Sequence, residues 1–244
     1  MSTESTIIIQ TRRALASGSD IDLQLPRYVK EMKFIFNDGI TARDASEWFH
    51  HCRKRCIKDI KISSALTVEQ NPFEGMNETY DIICVWDNDQ ISRFIRNEHR
   101  EDREFVYTYK EEVCKECVED LVSVVDNTTE YKDVLSELMI FAKKIGYGAF
   151  NSFFDTAYKL LDGSLNMSTE NIPYYLEGMP MHLINIIGAT KQSYVFGGMG
   201  WWNDDPRGKA EIMGFKDEYD RLTNALIYNM RKALVYVTNT CFMK

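Results

Sequence analysis

The residues best suited to chemistry lie together in the stretch YVFGGMGWWNDDP, which runs from Tyr194 to Pro206. A glycine-rich turn that leads into a helix can hold phosphate through its backbone N–H groups. Here the glycines are spaced neither as G-x-G-x-x-G nor as a Walker loop, and the two aspartates would repel a phosphate. The stretch therefore does not predict a nucleotide site.

The same stretch offers the side-chain oxygens of Asn203, Asp204 and Asp205 to a hard cation. Adjacent acidic residues in a loop point apart, and their spacing is not that of a calcium-binding loop. A cation site is therefore disfavoured.

The adjacent tryptophans Trp201 and Trp202 favour a third use, recognition of another protein. An exposed tryptophan can anchor an interface because it buries a large area at a small cost in conformational entropy. The alternative is core packing, in which the rings cover the last helix and the glycines let the backbone pass beneath them. The candidate binding residues are Gly197, Gly198, Gly200, Trp201, Trp202, Asn203, Asp204 and Asp205.

The segment from Phe196 to about Ala233, roughly one-sixth of the chain, resembles the C-terminal end of a group of small bacterial proteins of unknown function. Those proteins carry a Phe-Gly-Gly-Met-Gly-Ser-Trp-Asn-Asp signature before an acidic amphipathic helix, and here Trp201 stands in place of the serine. The resemblance implies no reaction. It implies that the loop and the last helix form a unit in which Trp202 packs and Asn203 or Asp204 forms a cap. The small, acidic character is similar to that of toxin-neutralising immunity proteins, an analogy at the level of class.

Two cysteine pairs, in HHCRKRC and CKEC, have spacings that could hold a metal. Cys52, Cys56, Cys114 and Cys117 could supply four thiolates to zinc, or three together with a histidine, His50 or His51. The alternative is that these cysteines are small apolar residues on buried helix faces. Apart from this weak zinc site, we expect no cofactor.

Catalysis has little support in the sequence. Besides His50 and His51, the histidines are His99, on a charged face, and His182, at the start of a predicted strand. No Gly-x-Ser-x-Gly turn is present, and Cys84 is typical of a strand core. We therefore expect a protein that is not an enzyme.

The chain has 244 residues, of which 44% are hydrophobic, and a net charge of −8. This composition favours a folded protein with a sizeable core and makes a general nucleic-acid binder a poor fit. The N-terminus lacks the order of a secretory signal and no apolar run is long enough for a membrane span, so we expect a cytoplasmic protein with reduced cysteines.

Charge is unevenly placed along the chain. Six basic residues lie between 43 and 61, whereas the region from Glu98 to Glu137 is mainly acidic. This layout is consistent with self-association of copies, and the acidic surplus favours a partner protein with a basic surface.

The elements that must position these residues follow from hydrophobic periodicity. We predict strands at 28–36, 57–68 and 79–86, and helices beginning at 41, 128 and 150, with a last helix from about Phe215 to Val237. Ile91, Phe94 and Ile95 suggest a further helix, as does the stretch around Val113 and Cys117. The stretch 181–198 is predicted to be a hairpin.

Together these elements predict an α+β fold that is helix-rich, with a small antiparallel or mixed sheet and a long C-terminal amphipathic helix. We expect a loose N-terminal arm at 1–26, an α+β part at 27–125 and a helix-rich part at 126–244, which could form one continuous domain. The leading hypothesis is an acidic protein-interaction module, and toxin neutralisation by an immunity-type protein is its most concrete form. A self-assembling structural protein of a virus or particle, and a zinc-binding protein, are the alternatives.

Overall fold

The computed structural model of the chain describes residues 2–63, 80–115 and 125–242. Within these ranges it contains seven α-helices and one six-stranded sheet, which confirms the α+β fold class and the long C-terminal helix. The helices are α1 Thr3–Ser17, α2 Ala45–Lys54, α3 Thr128–Lys144, α4 Asn151–Leu161, α5 Met181–Gln192, α6 Asp205–Ile212 and α7 Lys216–Thr240. The strands are β1 Val29–Ile35, β2 Thr41–Ala42, β3 Ile57–Ser63, β4 Asp81–Trp86, β5 Ile91–Glu101 and β6 Glu104–Cys114.

The sheet is mixed, with the strand order β2-β1-β6-β5-β4-β3. Only the β1–β6 pair is parallel, and the longest pairing joins β5 and β6 in an antiparallel hairpin. The helix predicted around residue 91 is therefore wrong, and so is the start of the one predicted around Val113, because β6 continues to Cys114. The rest of that second prediction, from Cys117 onward, lies largely outside the described residues. The inward face of β5 carries Ser92, Phe94 and Arg96 in succession, so polar residues hide the two-residue period that marks a strand.

The described residues form two hydrophobic cores. One lies between the sheet and α2, where Trp48 stacks on Phe34 with ring centroids 5.1 Å apart. The other is built by α3, α4, α5 and α7. Because α1 and α7 both contact β3, the two layers pack against each other. The division of the chain at residue 125 stays a prediction.

The N-terminal segment is a buried helix between the two layers, and the expected loose arm is wrong for residues 3–17. Ile7 and Ile8 belong to the sheet core, while Ile9 belongs to the helical core. The helix begins after Ser2, whose hydroxyl accepts the N–H of Ser5 at 3.1 Å. Ser and Thr residues of the expected arm are themselves buried on this helix, because Thr3, Ser5 and Thr11 lie inside together with the three isoleucines.

The predicted hairpin at 181–198 is also wrong, because residues 181–192 form α5. Its interior glycine, Gly188, lies where a Cβ would be 2.5 Å from Met167 Sδ and 3.3 Å from Leu160 Cδ1. The missing side chain at this position allows α4 and the chain after it to approach α5 closely.

Helices α3, α4 and α7 form where the apolar stripes predict them. Asn127 precedes α3 and forms no capping hydrogen bond with it. Its Nδ2 instead donates to Asn229 at the carbonyl oxygen, 3.0 Å, and at Oδ1, 2.8 Å. The N–H of Thr128 is accepted by Asp126 Oδ1 at 2.8 Å, so the neighbouring acid satisfies this end of α3.

Candidate binding loop

The glycine-rich loop between α5 and α6 is closed by its own side chains. Asn203 pairs with the backbone of Gly197 in both directions: Oδ1 accepts the N–H and Nδ2 donates to the carbonyl oxygen, each at 2.8 Å. Asp204 Oδ2 accepts the N–H of Gly200 at 2.9 Å, and Gly200 has a φ of +80°, which suits glycine. These bonds hold the loop in one conformation, and they occupy the Asn203 amide and one Asp204 oxygen.

The two tryptophans have opposite environments. Trp202 is fully buried, and its Nε1 donates to Thr223 Oγ1 at 3.0 Å. Its ring stacks on Tyr219, with centroids 5.6 Å apart, and its carbonyl oxygen accepts the Tyr219 hydroxyl at 2.7 Å. Trp202 is therefore a core residue that fixes the loop to α7, and its expected place on a binding surface is wrong.

Trp201 remains on the surface with 41% of its area exposed, next to Met199, which is 95% exposed. The ring of Trp201 lies against Gly197, where a Cβ would be only 2.8 Å from the ring carbon Cδ1. Its other neighbour is the ring of Phe153, at 6.4 Å between centroids. The glycine thus makes room for an indole that stands on the loop backbone and still faces solvent.

The remaining candidate residues also lie on the outer side of the loop. Gly198 is exposed, as are Asp204 and Asp205, and Asp205 begins α6, where negative charge is favoured. The outer surface of the loop therefore combines two apolar side chains with two carboxylates.

Three of the four cysteines proposed for zinc are described, and they do not form a metal site with one another. Cys52 is fully buried on α2, and burial raises the pKa of its thiol, whereas Cys56 is exposed beyond the end of the helix with a φ of +59°. Cys114 is half-buried at the end of β6, and Cys117 lies outside the described residues. Among the residues described, no group of three or more His, Cys, Asp or Glu could hold a metal ion.

The histidines are distributed over separate surfaces. His51 contacts Asp38 Oδ2 through Nε2 at 3.0 Å, and His99 contacts Glu101 Oε1 at 3.1 Å. His50 is exposed, and His182 is exposed at the start of α5, not in a strand. None of these contacts joins a histidine to a serine or cysteine, so they do not form the nucleophile–base pair of a triad.

The basic residues between 43 and 61 are largely paired within the chain, which removes the free basic face that their clustering suggested. Five of the six form ion pairs: Arg43 with Glu47, Arg53 with Asp20, Arg55 with Glu111, Lys58 with Asp89 and Lys61 with Asp59. The Arg55–Glu111 pair is bidentate, at 2.8 and 2.9 Å, and the Glu111 side chain is fully buried. These basic residues therefore give less support to the hypothesis that copies associate through a basic and an acidic region.

A cavity of about 860 Å³ between the sheet and the helical layer was not predicted from the sequence. Its walls come from α1, β5, β6, α5 and α7 together with shorter connecting segments, so no local pattern marks it. A weak signal is present on α7, where Arg231 interrupts the apolar spacing of Ile227, Met230 and Leu234.

The comparisons with known proteins place this α+β chain in no established family: no family model, curated protein or solved structure gives a significant match. A search of the described helices found none that is both long and apolar enough to cross a membrane.

Proposed function

We propose that this chain is a protein-interaction module that contacts its partner through the outer surface of the loop, defined as Gly198, Met199, Trp201, Asp204 and Asp205. The observation that carries the proposal is the exposure of Met199 and Trp201 on a loop closed by its own hydrogen bonds. Large apolar side chains on a preorganised loop supply binding energy at little entropic cost.

Charge defines the partner more closely. Asp204 and Asp205 border the apolar side chains, and the whole chain carries a net charge of −8. The complementary surface is an apolar pocket for the indole, flanked by lysine or arginine. Toxin neutralisation is the most concrete form of this proposal, and it predicts that the partner loses its own activity when bound.

The first experiment identifies the partner by crosslinking it to the loop. A photo-crosslinking amino acid replaces Met199 in one protein and Ile140 in a control. Ile140 lies on α3 and is 71% exposed, so the control presents another largely exposed apolar position elsewhere. We expect a discrete crosslinked protein from the native source at position 199 alone. Identical products at both positions would contradict the proposal.

The affinity of the purified partner then tests the side chains. We expect Trp201→Ala to weaken binding by about 30-fold or more, the effect of losing a hot-spot residue. Ile140→Ala, which removes an exposed apolar side chain elsewhere, is expected to leave the dissociation constant unchanged. Equal affinity of the Trp201→Ala and wild-type proteins, both folded, would remove the loop from the interface.

A further inference from the structure

The cavity between the sheet and the helical layer has the size of a small-molecule site. Its volume of about 860 Å³ lies within the range of roughly 300–1,000 Å³ that such sites occupy. It is lined by the inner face of β5 and β6 on one side and by α5 and α7 on the other, and the first turn of α1 reaches it as well. It is separate from the loop surface of the proposed function, because Met199 and Trp201 do not line it.

Most of the helical wall of the cavity is apolar, and its polar members are Thr190, Lys191 and Arg231. Side chains three or four positions apart on α5 and α7 form one stripe on each helix, comprising Ile184, Ile187, Ile227, Met230 and Leu234. The sheet contributes the rings of Phe105 and Tyr107, whose centroids are 6.4 Å apart. These surfaces suit a ligand with an apolar or aromatic body.

The acidic side chains that line the cavity are both engaged by one arginine. Arg96 Nη1 lies 2.7 Å from Glu4 Oε1, and Arg96 Nε lies 3.3 Å from Glu98 Oε2. Tyr109 also donates its hydroxyl to Glu4 Oε1 at 2.7 Å. Arg96 carries one positive charge against these two carboxylates, so a negative charge remains on this wall, and Glu4 Oε2 is buried without a hydrogen-bond partner among the described residues. An acidic head group is therefore directed away from this wall.

Positive charge remains on the opposite wall. Lys191, in the last turn of α5, lines the cavity and forms no ion pair with any described residue. Ser2 and Thr3 bring the N-terminal end of the 15-residue helix α1 to the same cavity, and this end of a helix favours negative charge. An apolar cavity with a cation at its wall fits an anion that has an apolar body.

We propose that this cavity binds an amphipathic organic anion, a small molecule with an apolar or aromatic body and one acidic head group. The body lies against the stripes of α5 and α7, and the head group is directed toward Lys191. The site depends on neither Trp201 nor the partner protein.

The test uses two fluorescent probes with the same ring systems. 8-Anilinonaphthalene-1-sulfonate carries a sulfonate, and N-phenyl-1-naphthylamine does not. We expect the sulfonate to bind the folded chain saturably at one site and about fivefold or more tighter than the neutral probe, the gain that one partly exposed charge contact gives. Absence of saturable binding overturns the proposal. Equal affinity for the two probes overturns the claim that the cavity prefers an anion.

Variants locate the binding. Lys191→Gln should weaken sulfonate binding about fivefold while leaving the neutral probe unchanged. Lys209→Gln, at an exposed lysine of α6 outside the cavity, is the matched control and should change neither. Ile187→Trp fills the cavity and should abolish binding of both probes. Thr190→Trp, on the same wall, is a second filling variant, and thermal unfolding verifies that each is folded.

The variants also separate this proposal from the proposed function. Trp201→Ala should leave binding of both probes unchanged, whether or not it weakens the partner. Undiminished sulfonate binding in either folded filling variant would place the probe elsewhere and overturn the cavity as its site.

Discussion

The side-chain amide of Asn239 forms with Ile62 the two hydrogen bonds that a neighbouring strand would form. Its Oδ1 accepts the Ile62 N–H at 2.8 Å, and its Nδ2 donates to the Ile62 carbonyl oxygen at 3.0 Å. Because β3 is the outer strand of the sheet, this pairing closes an edge that would otherwise be open to pairing with another chain. The last turns of α7 therefore protect the sheet as well as the helical core.

Replacement of Asn239 should measurably destabilise the protein. We expect Asn239→Leu to lower the free energy of unfolding by about 2 kcal/mol, because the buried N–H and C=O of Ile62 lose their partners. Urea denaturation checks this value. Asn224→Ala, at a half-buried asparagine of α7, is the control and should change stability by less than about 0.5 kcal/mol. Equal effects of the two substitutions would contradict the edge-protection role.

Two adjacent arginines of α1 should differ sharply in their contributions to stability. The buried Arg12 donates to the carbonyl oxygens of Cys241, Asn239 and Ile60, at 2.8, 2.9 and 3.2 Å. Arg12→Met leaves these acceptors without a donor, and we expect a loss of about 3–5 kcal/mol in the free energy of unfolding.

The neighbouring residue supplies the control for that substitution. Arg13 is partly exposed and contacts Glu177 at 3.5 Å. Arg13→Met should cost less than about 1 kcal/mol, because a surface ion pair contributes little. Chemical denaturation of both variants under one condition gives the comparison, and similar losses would refute the buried role of Arg12.

Gly197 should be required for the position of the Trp201 indole. Gly197→Ala places a methyl group about 2.8 Å from Trp201 Cδ1, so the ring must move. Because the ring is partly exposed, we expect a stability loss within about 1 kcal/mol but an altered near-ultraviolet circular dichroism spectrum. Gly198→Ala is the matched control, since a Cβ there meets no atom within 4 Å. An unchanged spectrum for Gly197→Ala would show that the ring does not depend on this glycine.

Alkaline pH should destabilise the fold through buried groups that resist ionisation. Burial raises the pKa of the Cys241 thiol from 9.0 to about 12, and burial also raises the pKa values of Tyr131 and Tyr219 above their ordinary value of 10.0. Between pH 9 and 12 the unfolded chain loses protons that the folded chain keeps. The free energy of unfolding therefore falls as pH rises, by up to about 1.4 kcal/mol per pH unit for each such group.

Two optical signals recorded on the same samples check the alkaline prediction. Tyrosinate absorbance near 295 nm reports ionisation, and far-ultraviolet circular dichroism reports unfolding. We expect the buried tyrosines, Tyr131 and Tyr219, to ionise only as the helical signal is lost. Complete tyrosine ionisation with an intact helical spectrum would contradict the assignment of these side chains to the closed core.

Part of this architecture could be predicted from the sequence because its signals are local. The stripe that contains Tyr131, Leu135 and Leu138 repeats at helical spacing and predicts α3, and the apolar run of β4 predicts a buried strand. These features, together with the long stripe of α7, sufficed for the α+β fold class.

The environments of Trp201 and Trp202 depended on the tertiary structure. The two rings have the same chemistry and are adjacent in sequence, so composition could not assign one to the core and the other to the surface. The fold places Trp202 against Tyr219 and Thr223 of α7, whereas Trp201 lies against Gly197 and Phe153 and stays partly exposed.

By itself, the sequence determined the fold class and those helices and strands whose periodicity is strong, because backbone geometry repeats over a few residues. Only the tertiary structure decided that residues 3–17 form a buried helix, that β5 and β6 are strands, and that a cavity lies between the layers. These features depend on contacts between segments far apart in the chain. Glu4, for example, meets Arg96 and Tyr109 across about a hundred residues, and no local pattern encodes such a contact.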